Sequence, residues 1–509
     1  MFIKKTILLS QIILFGLFIM GCGREDSEDG TMNYSPGGYD SYYNTERYAD
    51  RDENDFKLVS VNPTSVFSVD VDKASYSNVR DYIQRGSLPP IGSVRTEEFV
   101  NYFNYSYPEP TGDDLVSLNA EIGECAWNKG HYLLKLGLKA KTIDVSNVPS
   151  SNLVFLIDVS GSMSQELPLL VEAFDVLMDG LRDNDRVAIV TYASGDRLVL
   201  QSTPCTKEGR KKIYNALHSL SAGGSTQGAK GIQTAYEIAH KNFISGGNNR
   251  VILATDGDFN VGVSSTAGLK DLIQKERETN VFLTVLGFGR GNLNDEMMST
   301  IADAGNGNYS YISTIYEAKK ALGTELWGSI YTVAQDVKIL VDFNPNLVKA
   351  YRLIGYEKRL LNNEDFNNDK KDAGDMGSGH TVTALYEIVS ADSNEEFPNT
   401  ATESEYVNPV ASNDHTNWMT VKFRYKKPTE TESKLQELKV DGSYLKDMNS
   451  ADFNLAQYVS AFAQVLNDSK YCPMSLEDIS NSIASIPSDE NGYVDELKVL
   501  VREASMLKK

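Results

Sequence analysis

Cysteine is scarce in this chain: four in 509 residues, at positions 22, 125, 205 and 472, with no C-x-x-C pair. That excludes a disulfide-dense scaffold and the cysteine-rich zinc and iron–sulfur sites. Histidine is almost as rare, with five residues and no H-E-x-x-H, so the common catalytic zinc motif is missing. His131, His218, His240, His380 and His415 are scattered, with none at ligand or catalytic spacing from another. Basic residues number 49 against 70 acidic ones, leaving a formal net charge of −21 and no basic footprint for nucleic acid. No G-x-x-x-x-G-K-[ST] occurs; the glycines and lysine of 223–231 have the wrong spacing, so no nucleotide site is expected. G-x-S-x-G is absent too. What is present is ordinary globular composition, 41% hydrophobic and 23% charged, with length for three or four units.

The amino terminus carries the first positive signal. Lys4 and Lys5 precede a nearly unbroken apolar run over 6–21. As a helix it would span about 24 Å, short of a hydrocarbon core of about 30 Å, which favours a signal peptide over a permanent span. The run stops at Ile19-Met20-Gly21-Cys22, which resembles the lipobox of bacterial lipoproteins. The resemblance implies a signal peptide over 1–21 and lipidation of Cys22; an ordinary signal peptide or short anchor is the alternative. Residues 22–57 read as an acidic flexible tether, since 23–56 hold ten acidic and three basic side chains and no periodic aliphatic pattern. The expected location is the bacterial cell envelope, lipid-anchored outside the cytoplasm on the inner or outer membrane. The acidic run is also a candidate signal for sorting to the outer surface.

Periodicity then changes three times. Residues 58–111 form an N-terminal α+β segment, with a strand expected over 66–71 and a helix over 75–85. Over 112–145, alternation of Val116, Leu118, Ala120 and Ile122, then of Tyr132, Leu134, Leu136, Leu138 and Ala140, flanks an Asn128-Lys129-Gly130 turn and predicts a hairpin. From 151 to 328 the near-continuous apolar runs LVFLID, RVAIVTY, RVILATD and VFLTVLGF alternate with amphipathic helices, the pattern of a doubly wound α/β domain. Period two returns over 331–427, at Val337, Ile339, Val341 and Phe343, at Val382, Ala384, Tyr386 and Ile388, and at Val421, Phe423 and Tyr425. The predicted fold is therefore α/β, a doubly wound (Rossmann-like) domain inserted in one β-sandwich built from 112–145 and 331–427. A helical C-terminal region is expected over 436–509.

The chemistry gathers on one edge of the α/β domain. Asp158-Val159-Ser160-Gly161-Ser162 follows the first buried strand and precedes a helix, in the crevice where open α/β sheets bind ligands. Two further loops on that edge bring Thr226 (GGSTQG) and Asp256 (LATDGDF). Two carboxylates and three hydroxyls form a hard oxygen set, suited to Mg²⁺ or Mn²⁺ and not to zinc or copper. Such a set leaves the cation undersaturated, ready to accept an outside Asp or Glu carboxylate, and it contains no poised general base. Asp258 and Asn260 read as turn residues, as does Asp489-Glu490-Asn491-Gly492. Asp365, Asn367 and Asp369 alternate like a calcium loop, but Lys370 stands where that loop needs glycine.

At these residues 151–328 resembles a von Willebrand factor type A (VWA) domain with a complete metal-ion-dependent adhesion site. The resemblance implies Asp158, Ser160, Ser162, Thr226 and Asp256 as the coordinating groups, some of them through water. SVFSVDVDKASYSNVR, EEFVNYFNYSYP, RVILATDGDFNVGV and FNPNLVKAYRLIGYEKRLL extend it to the bacterial VWA lipoproteins of the YfbK type, over about 44–509. The function expected is not enzymatic: a membrane-anchored module binding a protein partner's carboxylate through the cation. Two alternatives remain, an envelope structural or scaffolding protein whose metal only stabilises the loops, and a metal-dependent hydrolase. For the hydrolase, Lys230 and Arg290 are the sole candidate clamps near the loops.

Overall fold

The computed structural model describes residues 46–48, 52–69, 72–225, 228–257, 266–398, 413–428 and 430–508, all within the unit Asn44–Lys509. The expected signal peptide, Cys22 and most of the tether lie outside the described residues, as do Thr226, Asp258 and Asn260. Among the described residues no helix is long and apolar enough to cross a membrane.

The strand Ser151–Asp158 is buried from end to end. Its alternate side chains enter two different cores, because successive strand residues point to opposite faces. Leu153, Phe155 and Ile157 meet Leu170, Phe174 and Leu177 of the helix Leu167–Gly180. Val154 and Leu156 meet Ile232, Ala235 and Ala239 of the helix Gly228–Lys241. The sheet runs Tyr309–Tyr311, Val281–Gly287, Asn248–Thr255, Ser151–Asp158, Arg186–Tyr192, Asp196–Pro204. Every neighbouring pair is parallel except the last. The chain leaves Ser151–Asp158 toward Arg186–Tyr192 and returns on the other side as Asn248–Thr255. That reversal opens a crevice at the carboxyl ends of the strands.

Around this domain lies the sandwich. One sheet runs Lys57–Leu58, Val348–Ile354, Thr381–Ser390, His131–Ala140, Val116–Glu124. The other runs Gly374–Gly377, Thr332–Phe343, Asn417–Lys426, Lys434–Asp441, with Thr64–Ser68 also paired to Thr332–Phe343. The period-two residues of both segments fill one core, with Leu134, Leu136 and Leu138 among Ile339, Val341, Ala384, Tyr386, Val421 and Phe423. His131–Ala140 pairs directly with Thr381–Ser390, across the whole inserted domain in sequence.

Three elements differ from the sequence expectation. The strand expected over 66–71 is Thr64–Ser68, and it belongs to the sandwich. The helices that follow it, Ala74–Gln84 and Thr96–Tyr102, pack their Tyr76, Phe99 and Tyr102 among Phe453, Phe462 and Leu497 of the C-terminal helices. The 58–111 segment thus supplies parts to two layers. Residues 436–441, expected in the helical region, finish the strand Lys434–Asp441, and the helix Ala451–Leu466 starts later on a Ser450 cap. Burial alternates along this edge strand, but only Leu438 and Val440 of its inner face are apolar, beside Lys434 and Gln436, while Leu435 faces outward at 49% exposed. The antiparallel edge Asp196–Pro204 also went unpredicted.

Candidate metal centre

Asp158 ends the central strand fully buried, and Ser160 is buried beside it, while Ser162 is exposed at the mouth. The turn is held by its own side chains. Ser160 N–H donates to Asp158 Oδ1 at 2.8 Å, and the Ser160 and Ser162 hydroxyls lie 3.1 Å apart. Thr255 Oγ1 donates to the other carboxylate oxygen, Oδ2, at 3.4 Å. Backbone bonds tie the loops together: Val159 N–H to Tyr192 O at 3.0 Å, Gly223 N–H to Val159 O at 2.7 Å, Gly161 N–H to Gly224 O at 3.1 Å. These bring Gly223 and Gly224, in the loop before the helix Gly228–Lys241, against the Asp158 turn.

Asp256 arrives one residue beyond the strand Asn248–Thr255, 2% exposed. Gly257 lets the chain turn there. Its φ is +97°, and a Cβ would stand 2.6 Å from Asn294 N and 2.9 Å from Leu293 Cα, so only glycine fits. Gly224, at φ +92°, is similar: a Cβ would meet Ser194 Oγ at 2.5 Å, the hydroxyl that accepts Ser225 N–H at 3.0 Å.

Burial pushes the Asp158 carboxyl up to about 6, against the Ser160 hydrogen bonds, and the nearby Asp256 charge adds to the rise. Glu166, half-buried at the rim, is raised by burial; the Asp256 charge raises it further and Arg85 opposes. The chain thus collects negative charge in a low-dielectric crevice, where a divalent cation is favoured. Asp158, Ser160, Ser162 and Asp256 converge in hard-oxygen chemistry that fits Mg²⁺. Among the described residues no group of three or more His, Cys, Asp or Glu side chains is arranged to hold a metal, and the candidate set here has two carboxylates with the rest hydroxyls. Thr255, Tyr192 and Glu166 escaped sequence reasoning. Only Thr255 left a signal, its place before Asp256 at a strand end.

The cations considered for a hydrolase are committed elsewhere. Lys230 Nζ pairs with Asp196 at 2.8 Å. Arg290 binds Asp81 and Glu46, and stacks 3.7 Å over the Tyr82 ring. In the calcium-like loop, Asp365 accepts from Asn362 N–H, Asn367 Oδ1 from Arg424, and Asp369 from Arg424 and Ser433. Cys125, Cys205 and Cys472 are free, buried thiols.

The chain is 41% identical over 437 residues to the uncharacterized protein YfbK of Escherichia coli (strain K12), covering 84% of this chain and 75% of that one. It belongs to the YfbK family. Residues 328–507 match that family's C-terminal region, 152–323 match the von Willebrand factor type A domain, and 42–135 match the family described as von Willebrand factor. Inter-alpha-trypsin inhibitor heavy chain H3 of Mesocricetus auratus is 25% identical over 261 residues, which is 47% of this chain and 29% of the inhibitor chain. Among solved structures, a von Willebrand factor type A protein from Catenulispora acidiphila aligns with TM-score 0.43 at 19% identity, covering 78% of this chain and 91% of that one.

Proposed function

We propose that this VWA protein is a lipid-anchored module of the bacterial envelope that binds a partner protein's Asp or Glu carboxylate through Mg²⁺ (Mn²⁺ would serve as well). VWA domains are protein-interaction domains and generally not enzymes. The observation that carries the finer reading is the Asp158-Ser160-Ser162 turn. Its aspartate is buried, and among the described residues it is held only by hydroxyl and backbone N–H donors. A buried carboxylate without a cation is costly, so the turn suits a metal from outside. Asp158, Ser160, Ser162 and Asp256 would hold the ion, with Thr226 from the neighbouring loop. When bound, it would supply an electrophilic position for an external oxygen. The chain's own groups orient the donors, and among the described residues none is placed as a general base.

Titration calorimetry with MgCl₂ tests the site: one saturable event in the wild type, none in a folded Asp158→Ala variant. Crosslinking in intact cells then tests the partner, which should be retained with Mg²⁺ and lost with chelator or with Asp158→Ala. Full retention in chelator, together with a lowered melting temperature, would move the function to the envelope scaffold. The anchor is tested separately, by membrane fractionation of Cys22→Ser.

A further inference from the structure

Among the described residues four arginines are almost completely buried, none more than 3% exposed: Arg80, Arg95, Arg250 and Arg352. Three of them have a carboxylate of the chain as counterion. Arg80 pairs with Glu317 at 2.6 Å, Arg352 with Glu387 at 2.9 Å, and Arg95 with both Glu98 and Asp295. Arg250 differs. Its Nη1 donates to a neutral hydroxyl, Thr284 Oγ1, at 2.9 Å, its guanidinium lies 5.4 Å from the Phe282 ring centre, and its Nε has no acceptor. Nε is also unmatched in Arg80 and Arg352, but there a glutamate neutralises the group. Among the described residues no carboxylate pairs with Arg250.

What Arg250 faces is a cavity of about 280 Å³ between the VWA domain and the sandwich, lined also by Asn306, Arg359, Lys371, Asp375 and His380. The acids there are engaged elsewhere. Asp72 accepts Tyr309 N–H at 2.9 Å, Asp303 pairs with Arg359 at 2.8 Å, and Asp372 pairs with Arg277 at 2.7 Å. Asp375 accepts Asn306 Nδ2 at 2.9 Å and Asp336 N–H at 3.1 Å. Burial pushes the Arg250 guanidinium down to about 10 although the Asp375 charge opposes that fall, and burial pushes the Asp375 carboxyl itself up to about 7, so it offers Arg250 only a weakened counter-charge. The imidazole Nδ1 of His380 is buried without a partner.

We propose that this junction cavity is a binding site for a small oxyanion, a phosphate or a small carboxylate, with Arg250 as its buried counter-charge and Lys371 at its mouth. A cation moved out of water is stable only with an anion beside it. A few hundred cubic ångströms hold several water-sized groups, enough for either ligand. Because the lining comes from both layers, the bound anion would tie the VWA domain to the sandwich. The site is independent of the metal centre.

The test is calorimetry and thermal unfolding of the full chain with inorganic phosphate and, separately, succinate, at ionic strength fixed with sodium chloride. Saturable one-to-one binding of one of them, with a raised melting temperature, is expected, and the anion that binds identifies the ligand class. Arg250→Met should weaken that binding by about thirty-fold or more, since it removes the buried charge. Should that variant not fold, two others decide. Lys371→Gln should weaken binding several-fold, and Asp375→Asn should leave it intact or tighten it by removing a like charge. No saturable binding of either anion overturns the proposal. So does equal binding by Arg250→Met, or an Asp375→Asn variant that loses stability and anion response together, which would make Asp375 the counterion.

Discussion

The two crevices of the VWA domain are opposites. At the carboxyl edge of the sheet, Asp158 is buried with hydroxyls and a second acidic residue nearby. At the junction with the sandwich, Arg250 is buried with a hydroxyl and an aromatic ring. Arg80, Arg95 and Arg352, by contrast, are closed by the protein's own carboxylates, as in Arg80–Glu317 and Arg352–Glu387. Internally closed pairs hold layers together, while the two charges left open are the ones proposed above to take an ion from outside. That contrast separates scaffold from site without reference to any relative.

The sharpest way to break the comparison is to delete one arginine of each kind. Arg80→Met strands Glu317 in the core and should cost about 3–5 kcal/mol. Arg250→Met strands no carboxylate and should cost about 1 kcal/mol or less in anion-free buffer, because replacing an unpaired buried charge with an apolar group removes a desolvation penalty. Urea denaturation measures both. Equal losses would mean that Arg250 already has a counterion within the fold.

Next in size is the response to metal. At one hundred times its dissociation constant, Mg²⁺ should raise the wild-type unfolding free energy by about 2.7 kcal/mol, and chelator should reverse it. Asp158→Asn should remove that increment while leaving phosphate or succinate binding at the junction unchanged. A variant that loses both responses would join the two crevices into one cooperative system. Gly257→Ala should act more locally. Its backbone angle and the 2.6 Å approach to Asn294 N predict a loss of about 1–3 kcal/mol, together with weaker Mg²⁺ binding, because the turn carries Asp256.

The two crevices also differed in how far the sequence revealed them. The Asp158 edge was legible as a candidate site because its oxygen side chains sit next to a buried strand, in a turn whose spacing is local: Asp158, Ser160 and Ser162 lie within five residues. The alternation of Leu134, Leu136 and Leu138, and again of Ile339 and Val341, likewise announced a sandwich split around the inserted domain. The junction cavity was not legible. Arg250 opens RVILATD and reads as a strand-end surface charge until Asp375 and His380, more than a hundred residues later, fold over it. The edge strand Lys434–Asp441 was hidden for a different reason, since its half-buried inner face includes the polar Lys434 and Gln436 and so shows no apolar period. Long-range pairing and edge exposure are what a local pattern does not encode.

The smallest expected effect concerns a histidine that the sequence left among scattered ones. His131 is buried in the sandwich, with Nδ1 2.6 Å from Glu387 Oε1 and Nε2 2.6 Å from Glu395 Oε2. Glu387 is further held by Arg352 Nη2 at 2.9 Å and Trp127 Nε1 at 3.1 Å. Burial opposes the imidazolium, but the two glutamates outweigh it and raise the His131 value above 6.5. Glu387 moves the other way: burial would raise it, but His131, then Arg352, hold it below its usual range. A histidine raised on folding contributes fully below its unfolded value and loses that contribution as pH rises through the folded one. A glutamate lowered on folding contributes above its unfolded value and loses it as pH falls. Stability from this closed cluster should therefore be greatest between the ordinary glutamate and histidine values, about pH 4.5 to 6.5, and decline by about 1 kcal/mol as pH rises through the raised His131 value, the scale of a charge-assisted hydrogen bond. His131→Gln should flatten the alkaline decline in unfolding free energy across that range. An unchanged decline would place the titration elsewhere and leave Arg352 as the sole cation closing Glu387.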